Sequence, residues 1–452
     1  MLKYSPSFNN VFQEFKNFSS SQSGIMNTSA APLTNHLKDV SLKSITGNMP
    51  NYHKQVIDNS TTVQYHIIGY GSHYEEALIK YTGESIERYS SVVAGKLLED
   101  KIIYATYEEI SKKGKTLPLK YIDVFTEKQV NENNKLNMTM CNKKIDEKDV
   151  IGWIKCSSLF NPEEKIWVPA KMMFVGYNVN LEKGEKNHIP SFSTGTASHK
   201  SLKKALLNAL IEYIQIDAFM LSWYTKRKCS LVQIDNPIIN KVLEDVNLGN
   251  NSDYNIIPLY MTLEELPIHT LGVFLERKDK TMPYLLFGVQ GDLDPVQAMT
   301  RGIMEAAAIS YSSYFNTIYN TETLKAMSGE NPRFLDLDSN VLFYSIPKKI
   351  EEKQNLIKDL IDDEIKLSSL EDLRKDNIDE DIKFILKHLK KVSEYAVFMD
   401  ITPPETRDKG WYVMRVLVPE LLEMCIPDFP FANHPRMKQY GGIKNEYPHP
   451  MP

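Results

Sequence analysis

The chain has 452 residues, with 53 Lys and Arg against 58 Asp and Glu and a formal net charge of -5. At roughly 100–200 residues per domain this allows two or three domains, or one large fused α/β unit, with a core that needs no disulfide staples. The mild acidic balance argues against a protein whose main task is to coat DNA or RNA, because that affinity is largely phosphate neutralisation, so no nucleic-acid partner is expected. Cys141, Cys156, Cys229 and Cys425 form no CxxC pair and no Cys/His zinc cluster, and read as reduced thiols. The N-terminal stretch lacks a signal-peptide apolar core, and no window reaches the ~18 apolar residues of a membrane span. The expectation is a cytoplasmic, soluble protein with no membrane contact.

In chain order, residues 1–60 are polar and rich in Ser and Asn, and FNNVFQEFKNF allows an amphipathic turn or two. We expect this N-terminal segment to pack on a core of residues 61–432. From Val63 a β-rich run enters Gly69-Tyr70-Gly71, and a helical pattern runs from Tyr74 to Leu97. Tyr121–Phe125 and Lys165–Pro169 read as short strands. Helix returns at Ser201–Tyr224 and Pro295–Tyr319, and Ile256–Met261, Leu271–Glu276 and Tyr284–Val289 read as strands between them. The charge-dense stretch 349–395 reads as surface helices, and Tyr395–Ile401 and Trp411–Val418 as two more strands. Residues 433–452, rich in Pro, Gly and His, read as a tail. The expected fold class is α+β (mixed α/β).

A spacing repeats across the three long helices. Ala77 is followed seven residues later by Glu84 and then by Glu87, Ala205 by Glu212 and then Gln215, and Ala298 by Glu305 and then Ala308. The first two helices also follow Ser-His pairs, Ser72-His73 and Ser198-His199, just after a glycine-containing turn. Repetition in the same turn-helix context suggests two related halves. Residues at i and i+3 share a helix face, so Glu84 with Glu87, and Glu212 with Gln215, direct up to four oxygen donors into one pocket. Mg2+ is bound this way, through carboxylates and substrate phosphates. The plainer reading of each pair is a solvated face beside Arg88 or Lys80. Gly114-Lys115-Thr116 lacks the first glycine of a P-loop, and Gly69-Tyr70-Gly71 is a lone GxG, so phosphates would have to be held by metal and cationic side chains.

These motifs together resemble the YcaO-domain family. Gly69–His73 with Gly83-Glu84-Ser85-Ile86-Glu87-Arg88 is similar to its first signature. Ser193–Ala197 with Ala209–Glu212 and Asp217-Ala218 is similar to the second, and Ala298–Ala306 to the third. Pro448-His449-Pro450-Met451-Pro452 resembles the PxPxP terminus of the azoline-forming branch, and the stand-alone size resembles the D component of streptolysin S-type synthetases. The resemblance implies a YcaO-type fold with an ATP pocket and an ATP- and Mg2+-dependent cyclodehydratase. Such an enzyme makes thiazolines or oxazolines at Cys, Ser or Thr of a ribosomally synthesised precursor peptide by phosphorylating a hemiorthoamide oxygen. It implies Glu84, Glu87, Glu212 and Gln215 as metal ligands, and Arg301, Lys16 and Ser23 as nucleotide contacts. It also implies a tail of Pro448, Pro450 and Pro452 that reaches the active site, with Pro452 at cyclisation. The implied partners are a leader-binding E1-like (ThiF-like) C protein and the precursor peptide, with an FMN-dependent dehydrogenase as an optional later chain. Lys204 and Ile216 depart from the family pattern, which keeps open a catalytically silent scaffold or allosteric subunit. A YcaO enzyme forming thioamides or amidines is the other alternative.

Overall fold

A computed structural model describes residues 8–452 apart from positions 21, 23, 27–30, 34–38, 53, 55–65 and 139. The chain runs through α1 (Phe8–Phe18), β1 (Ala31–Leu33), β2 (Lys43–Asn48), β3 (His66–Gly71), α2 (Tyr74–Leu97), β4 (Ile103–Ala105), β5 (Ile151–Ser158), β6 (Lys165–Pro169), β7 (Thr196–His199) and α3 (Leu202–Thr225). It continues through β8 (Cys229–Gln233), β9 (Tyr254–Tyr260), β10 (His269–Arg277), β11 (Leu285–Asp292), α4 (Pro295–Tyr319), α5 (Leu337–Ser345), α6 (Ile350–Lys358), β12 (Ile361–Lys366), α7 (Ile378–Leu389), β13 (Val397–Asp400), β14 (Tyr412–Leu417) and α8 (Pro435–Gln439), with short helices between.

Three sheets organise these elements. One is β1-β2-β3, one is β11-β10-β9-β8-β12, and one is β4-β5-β13-β14-β7 with β6 paired to β5. The fold is mixed α/β, as the sequence pattern predicts. The repeated turn-helix context is a strand, a tight turn and a long helix, and it occurs three times, as β3-α2, β7-α3 and β11-α4. The first strand lies very close to its helix. A Cβ on Gly69 would sit 1.9 Å from the Ala77 carbonyl oxygen, so only glycine allows the approach. Ala77, Ala205 and Ala298, the first residues of the repeated spacing, are all fully buried.

The N-terminal segment is part of this body. α1 is a full amphipathic helix, more than the turn or two expected, with Val11, Phe15 and Phe18 buried and Phe15 against Tyr81 at 6.3 Å between ring centroids. β2 pairs with β3, so the boundary drawn near residue 60 falls within one sheet.

Two segments differ from expectation. Tyr121–Phe125 is no strand: a single 3-10 turn at Leu119–Tyr121 follows Pro118. Ile122, Val124 and Phe125 enter the core from an irregular loop, and the Val124 carbonyl accepts from the Asn433 N–H at 2.8 Å. The stretch IDDEIK, expected as helix, is the edge strand β12, parallel to β8. Its exposed acids suit a sheet edge as well as a helix face, because charge there discourages further pairing. The helix α3 is long and apolar enough by composition to cross a bilayer, which the sequence reading did not reach, but it is the central helix and most of it is buried.

Candidate active site

Each long helix turns one face to a single cavity of about 1200 Å3. α2 contributes Lys80, Glu84, Glu87 and Arg88, α3 contributes Asn208, Ile211, Glu212 and Gln215, and α4 contributes Arg301, Glu305, Ala308 and Ser312. Each set follows the three- and four-residue steps of one helical stripe. The turns aim them. Gly195 takes φ +82 in the turn before β7, where a Cβ would lie 2.5 Å from the Tyr213 ring, and its N–H donates to Glu212. Asp336 caps α5 through the N–H groups of Asp338 and Ser339 and lines the cavity with Leu337.

The carboxylates are strongly perturbed. Burial pushes the pKa of Glu212 and Glu305 up to about 7, and lifts Glu84 as well. Glu87 is raised well above the usual range by burial and by the negative charges of Glu212 and Glu84, against the pull of Arg88 and Arg415. Arg88 lies 3.7 Å from Glu84. Arg415 is buried behind the cluster, donating to the Thr196 hydroxyl at 3.1 Å and the Met172 carbonyl at 2.7 Å. Among the cations, Arg301 pairs with Asp292 at 3.3 Å, and Lys80 pairs with Glu76 at 2.9 Å over the Tyr70 ring. Burial lowers the pKa of Lys80.

Of the residues expected from the sequence, Glu84, Glu87, Glu212, Gln215, Arg301 and Pro452 all line this cavity. Gln215 is engaged elsewhere: its Oε1 accepts from the Gly291 N–H and its Nε2 donates to the Val289 carbonyl, both at 2.7 Å. Lys16 is exposed on α1, 5.8 Å above the Phe12 ring, and is not among the lining residues. Ser23 lies outside the described residues. Pro448 and Pro450 are buried in the approach of the tail, and Met451 and Pro452 reach the cavity wall. Lys204 is exposed and Ile216 is buried, and neither is among the lining residues, although Lys204 stands one turn before Asn208 and Ile216 one turn after Glu212. The basic run after α3 is also occupied away from the cavity, Lys226 with Asp359 at 3.1 Å and Arg227 with the Ser222 hydroxyl at 2.9 Å.

Among the lining residues not named as site residues from the sequence are Glu305 and Lys80. Glu305 is the third copy of the repeated spacing, and the signal was present in that copy. Lys80 stands one turn before Glu84, and sequence offered only a solvated partner for it.

A family profile described as "YcaO cyclodehydratase, ATP- and Mg2+-binding" matches residues 68–422. The chain belongs to the YcaO family. Solved structures agree on the fold. A heterocyclase in complex with substrate and cofactor superposes with a TM-score of 0.72 at 16% identity, covering 98% of this chain and 56% of that one. YcaO from Methanopyrus kandleri bound with AMPPCP and Mg2+ gives 0.59 at 11% identity, over 92% of each chain. A chain of the E. coli microcin synthetase McbBCD complex gives 0.59 at 14%, over 96% and 95%. This YcaO chain therefore spans little more than half of the first heterocyclase. No curated protein matches the chain.

The donor set of this YcaO chain fits the family's Mg2+. Glu84, Glu87, Glu212 and Glu305 are hard oxygen donors held in a crowded cavity that disfavours their bare negative charge. Among the described residues no three His, Cys, Asp or Glu close tightly enough to hold an ion alone. Mg2+ keeps waters and completes its shell with substrate phosphates.

Proposed function

We propose that this chain is an ATP-dependent cyclodehydratase that installs thiazoline or oxazoline rings at Cys, Ser or Thr of a precursor peptide. The observation that carries the reading is the convergence of four carboxylates from three helices on one cavity that Arg301, Lys80, Met451 and Pro452 also line.

In the proposed reaction the Cys, Ser or Thr side chain attacks the preceding amide carbon to give a hemiorthoamide. Its oxygen takes the γ-phosphoryl of ATP and leaves as phosphate when the C=N bond of the ring forms, with ADP as the other product. An amide oxygen is a poor leaving group and phosphate a good one. Glu84, Glu87, Glu212 and Glu305 would hold Mg2+, which when bound spreads the charge of the phosphates. Arg301 and Lys80 reach the cavity as cations for phosphate oxygens. Gln215 acts through position, fixing α3 against β11, and does not need to ligate. The part that the family resemblance gives to Pro452 is tested by removing residues 448–452.

We further propose a separate leader-binding partner of the ThiF-like class, an optional FMN-dependent dehydrogenase, and a cytoplasmic site of action; the likeness to a chain of the McbBCD complex supports a multi-protein assembly. The silent-scaffold reading drew on Lys204 and Ile216. Neither lines the cavity, and the four carboxylates that do line it favour the enzyme reading over the scaffold.

The deciding experiment mixes the chain with a leader-binding partner and a Cys/Ser/Thr-rich precursor peptide, and follows phosphate release and peptide mass together. Peptide-dependent release matched by loss of one water per ring, about 18 Da, is expected. Release without any loss of mass, or no release from folded protein, sinks the proposal.

A further inference from the structure

The Pro448–Pro452 segment poses a physical problem. Three of its five residues are prolines without an N–H, so only His449 and Met451 can donate from the backbone. Every residue of it still offers a carbonyl, and gripping carbonyls takes donors.

α5 supplies those donors. Asn340 and Tyr344, four residues apart, share the helix face that meets the segment. The Asn340 Nδ2 donates to the His449 carbonyl at 2.6 Å and to the Met451 carbonyl at 2.7 Å, and the Tyr344 hydroxyl donates to the Pro448 carbonyl at 2.7 Å. Carbonyls two residues apart, on either side of a bend at Pro450, are thus bound by the two hydrogens of one amide. The amide has only one useful orientation, since a flip would aim its oxygen at two carbonyl oxygens. The consequence is an Asn340 Oδ1 that is buried without a partner. An orphaned buried acceptor costs about 1–3 kcal/mol, and it is tolerated here on a side chain whose donors are fully used by the segment.

His449 fixes the register. Its side chain is fully buried, edge-on to Phe219 and Tyr224 at 6.1 and 6.2 Å between ring centroids, and its Nε2 bonds the Cys425 carbonyl at 2.9 Å. Since a carbonyl only accepts, that nitrogen carries the proton, and the ring is the neutral tautomer with its pKa pushed down to about 4 by burial. Sliding the segment by one residue would place a proline where this ring binds. The same short helix α5 begins at the cavity, through Asp336, Leu337 and Asp338, two residues before Asn340.

We propose that Asn340 and Tyr344 are positioning residues that set the register of the 448–452 segment, and so hold Met451 and Pro452 at the cavity wall for cyclisation. This rests on the cyclodehydratase reading above, and goes beyond it in assigning the device that seats the segment.

The test uses the full chain with its partner and precursor peptide, in five forms: wild type, Asn340→Leu, Tyr344→Phe, a chain lacking residues 448–452, and that truncated chain with Asn340→Leu. Asn340→Leu should lower the kcat of cyclisation by about 10–100-fold, the scale of an ångström-level misplacement, while the KM for ATP stays within about twofold. Tyr344→Phe, a gentler change that keeps the ring packed, should give a smaller loss of the same kind. In the truncated chain, Asn340→Leu should add nothing. A second readout needs no activity: hydrogen exchange over residues 443–452 should speed up in Asn340→Leu by at least about tenfold at the His449 and Met451 amides.

Losses that multiply between truncation and Asn340→Leu, a raised KM for ATP, or unchanged exchange over the segment would each overturn the proposal. Full cyclisation by the truncated chain would do so as well. If wild type forms no rings at all, the functional reading fails by itself, and the exchange measurement still decides whether Asn340 seats the segment.

Discussion

Gln215 on α3 bridges to β11 by a two-way amide contact, accepting from the Gly291 N–H and donating to the Val289 carbonyl, each at 2.7 Å. Val289 is also held from the other side, because its N–H donates to Glu305 of α4 at 2.7 Å. β11 is the last strand of its sheet, paired only with β10, so its outward N–H and C=O groups need such partners. Two cavity helices are thereby tied to one strand edge.

Gln215→Ala strips the partners from a buried carbonyl and a buried N–H, and should cost about 1–3 kcal/mol in urea unfolding. Gln215→Glu should not rescue it. A carboxylate can still accept from Gly291 but cannot donate to Val289, and it adds a fifth negative charge beside Glu87 and Glu212. If Gln215→Glu instead equals wild type in stability and tightens Mg2+ binding, position 215 is a ligand position and its bridge to β11 is incidental.

The four carboxylates separate by readout. Glu84→Gln, Glu87→Gln and Glu212→Gln should each lower peptide-dependent phosphate release by at least about 100-fold and raise the Mg2+ needed for half-activity, as loss of an anionic ligand does. Glu305→Gln keeps the acceptor for the Val289 N–H, so it should lose Mg2+ affinity while unfolding at the wild-type urea concentration. A titration of activity against Mg2+ for the four variants checks this. A Glu305→Gln protein with unchanged Mg2+ dependence would remove Glu305 from the ligand set.

The raised carboxylates set a pH dependence. Glu212 and Glu305 rise from the ordinary 4.5 to about 7 in the folded chain. A group held above its unfolded pKa adds stability that is full below that unfolded value, and loses it as pH climbs through the folded value. Metal-free protein should therefore become less stable between about pH 4.5 and 7 from these two groups, and Mg2+ with ATP, which binds the ionised forms, should raise Tm more at pH 8 than at pH 6. Thermal melts of wild type and the Glu212→Gln, Glu305→Gln double variant check it, since the variant should have a flatter profile. Equal Mg2+-ATP shifts at both pH values would contradict it.

How far the sequence led depended on the kind of signal. The long helices were legible end to end because their apolar positions recur over six or seven turns, and Tyr74–Leu97 and Pro295–Tyr319 begin and end where the pattern does. The glutamates were legible because they repeat with buried alanines that need the same close approach to a strand. Glu305 was visible in the third copy, yet its neighbour at the next i+3 position is Ala308, so no oxygen pair drew attention to it. The role of Gln215 could not be read, since what occupies its amide is an edge strand more than 70 residues further along the chain. β12 was misread because two isoleucines four apart satisfy a strand face and a helix face alike. The tail looked loose by composition, and its order comes from single side chains far away in sequence, Asn340 and Tyr344 among them.

Asp217 and Arg436 supply the strongest of those distant ties. The Arg436 Nε lies 2.9 Å from both Asp217 oxygens and its Nη2 lies 2.6 Å from one of them, with both side chains almost wholly buried. Asp217 also accepts from the Leu422 N–H at 2.9 Å, and Arg436 reaches Glu265 at 3.0 Å. Asp217 stands on α3 little more than one turn after Glu212, so the pair joins the segment that leads to the tail to a helix that lines the cavity. Breaking it from one side leaves a buried charge uncompensated, so Asp217→Ala should cost about 3–5 kcal/mol, a large part of what holds a typical domain folded. Removing both charges with apolar residues of similar size, Asp217→Leu with Arg436→Met, should cost less than Asp217→Ala alone, because the guanidinium no longer needs a partner. Urea unfolding of the three proteins measures the order. A double variant less stable than Asp217→Ala would mean that the pair contributes net stability through Leu422 and Glu265, and that its charges are more than a mutually cancelling burden.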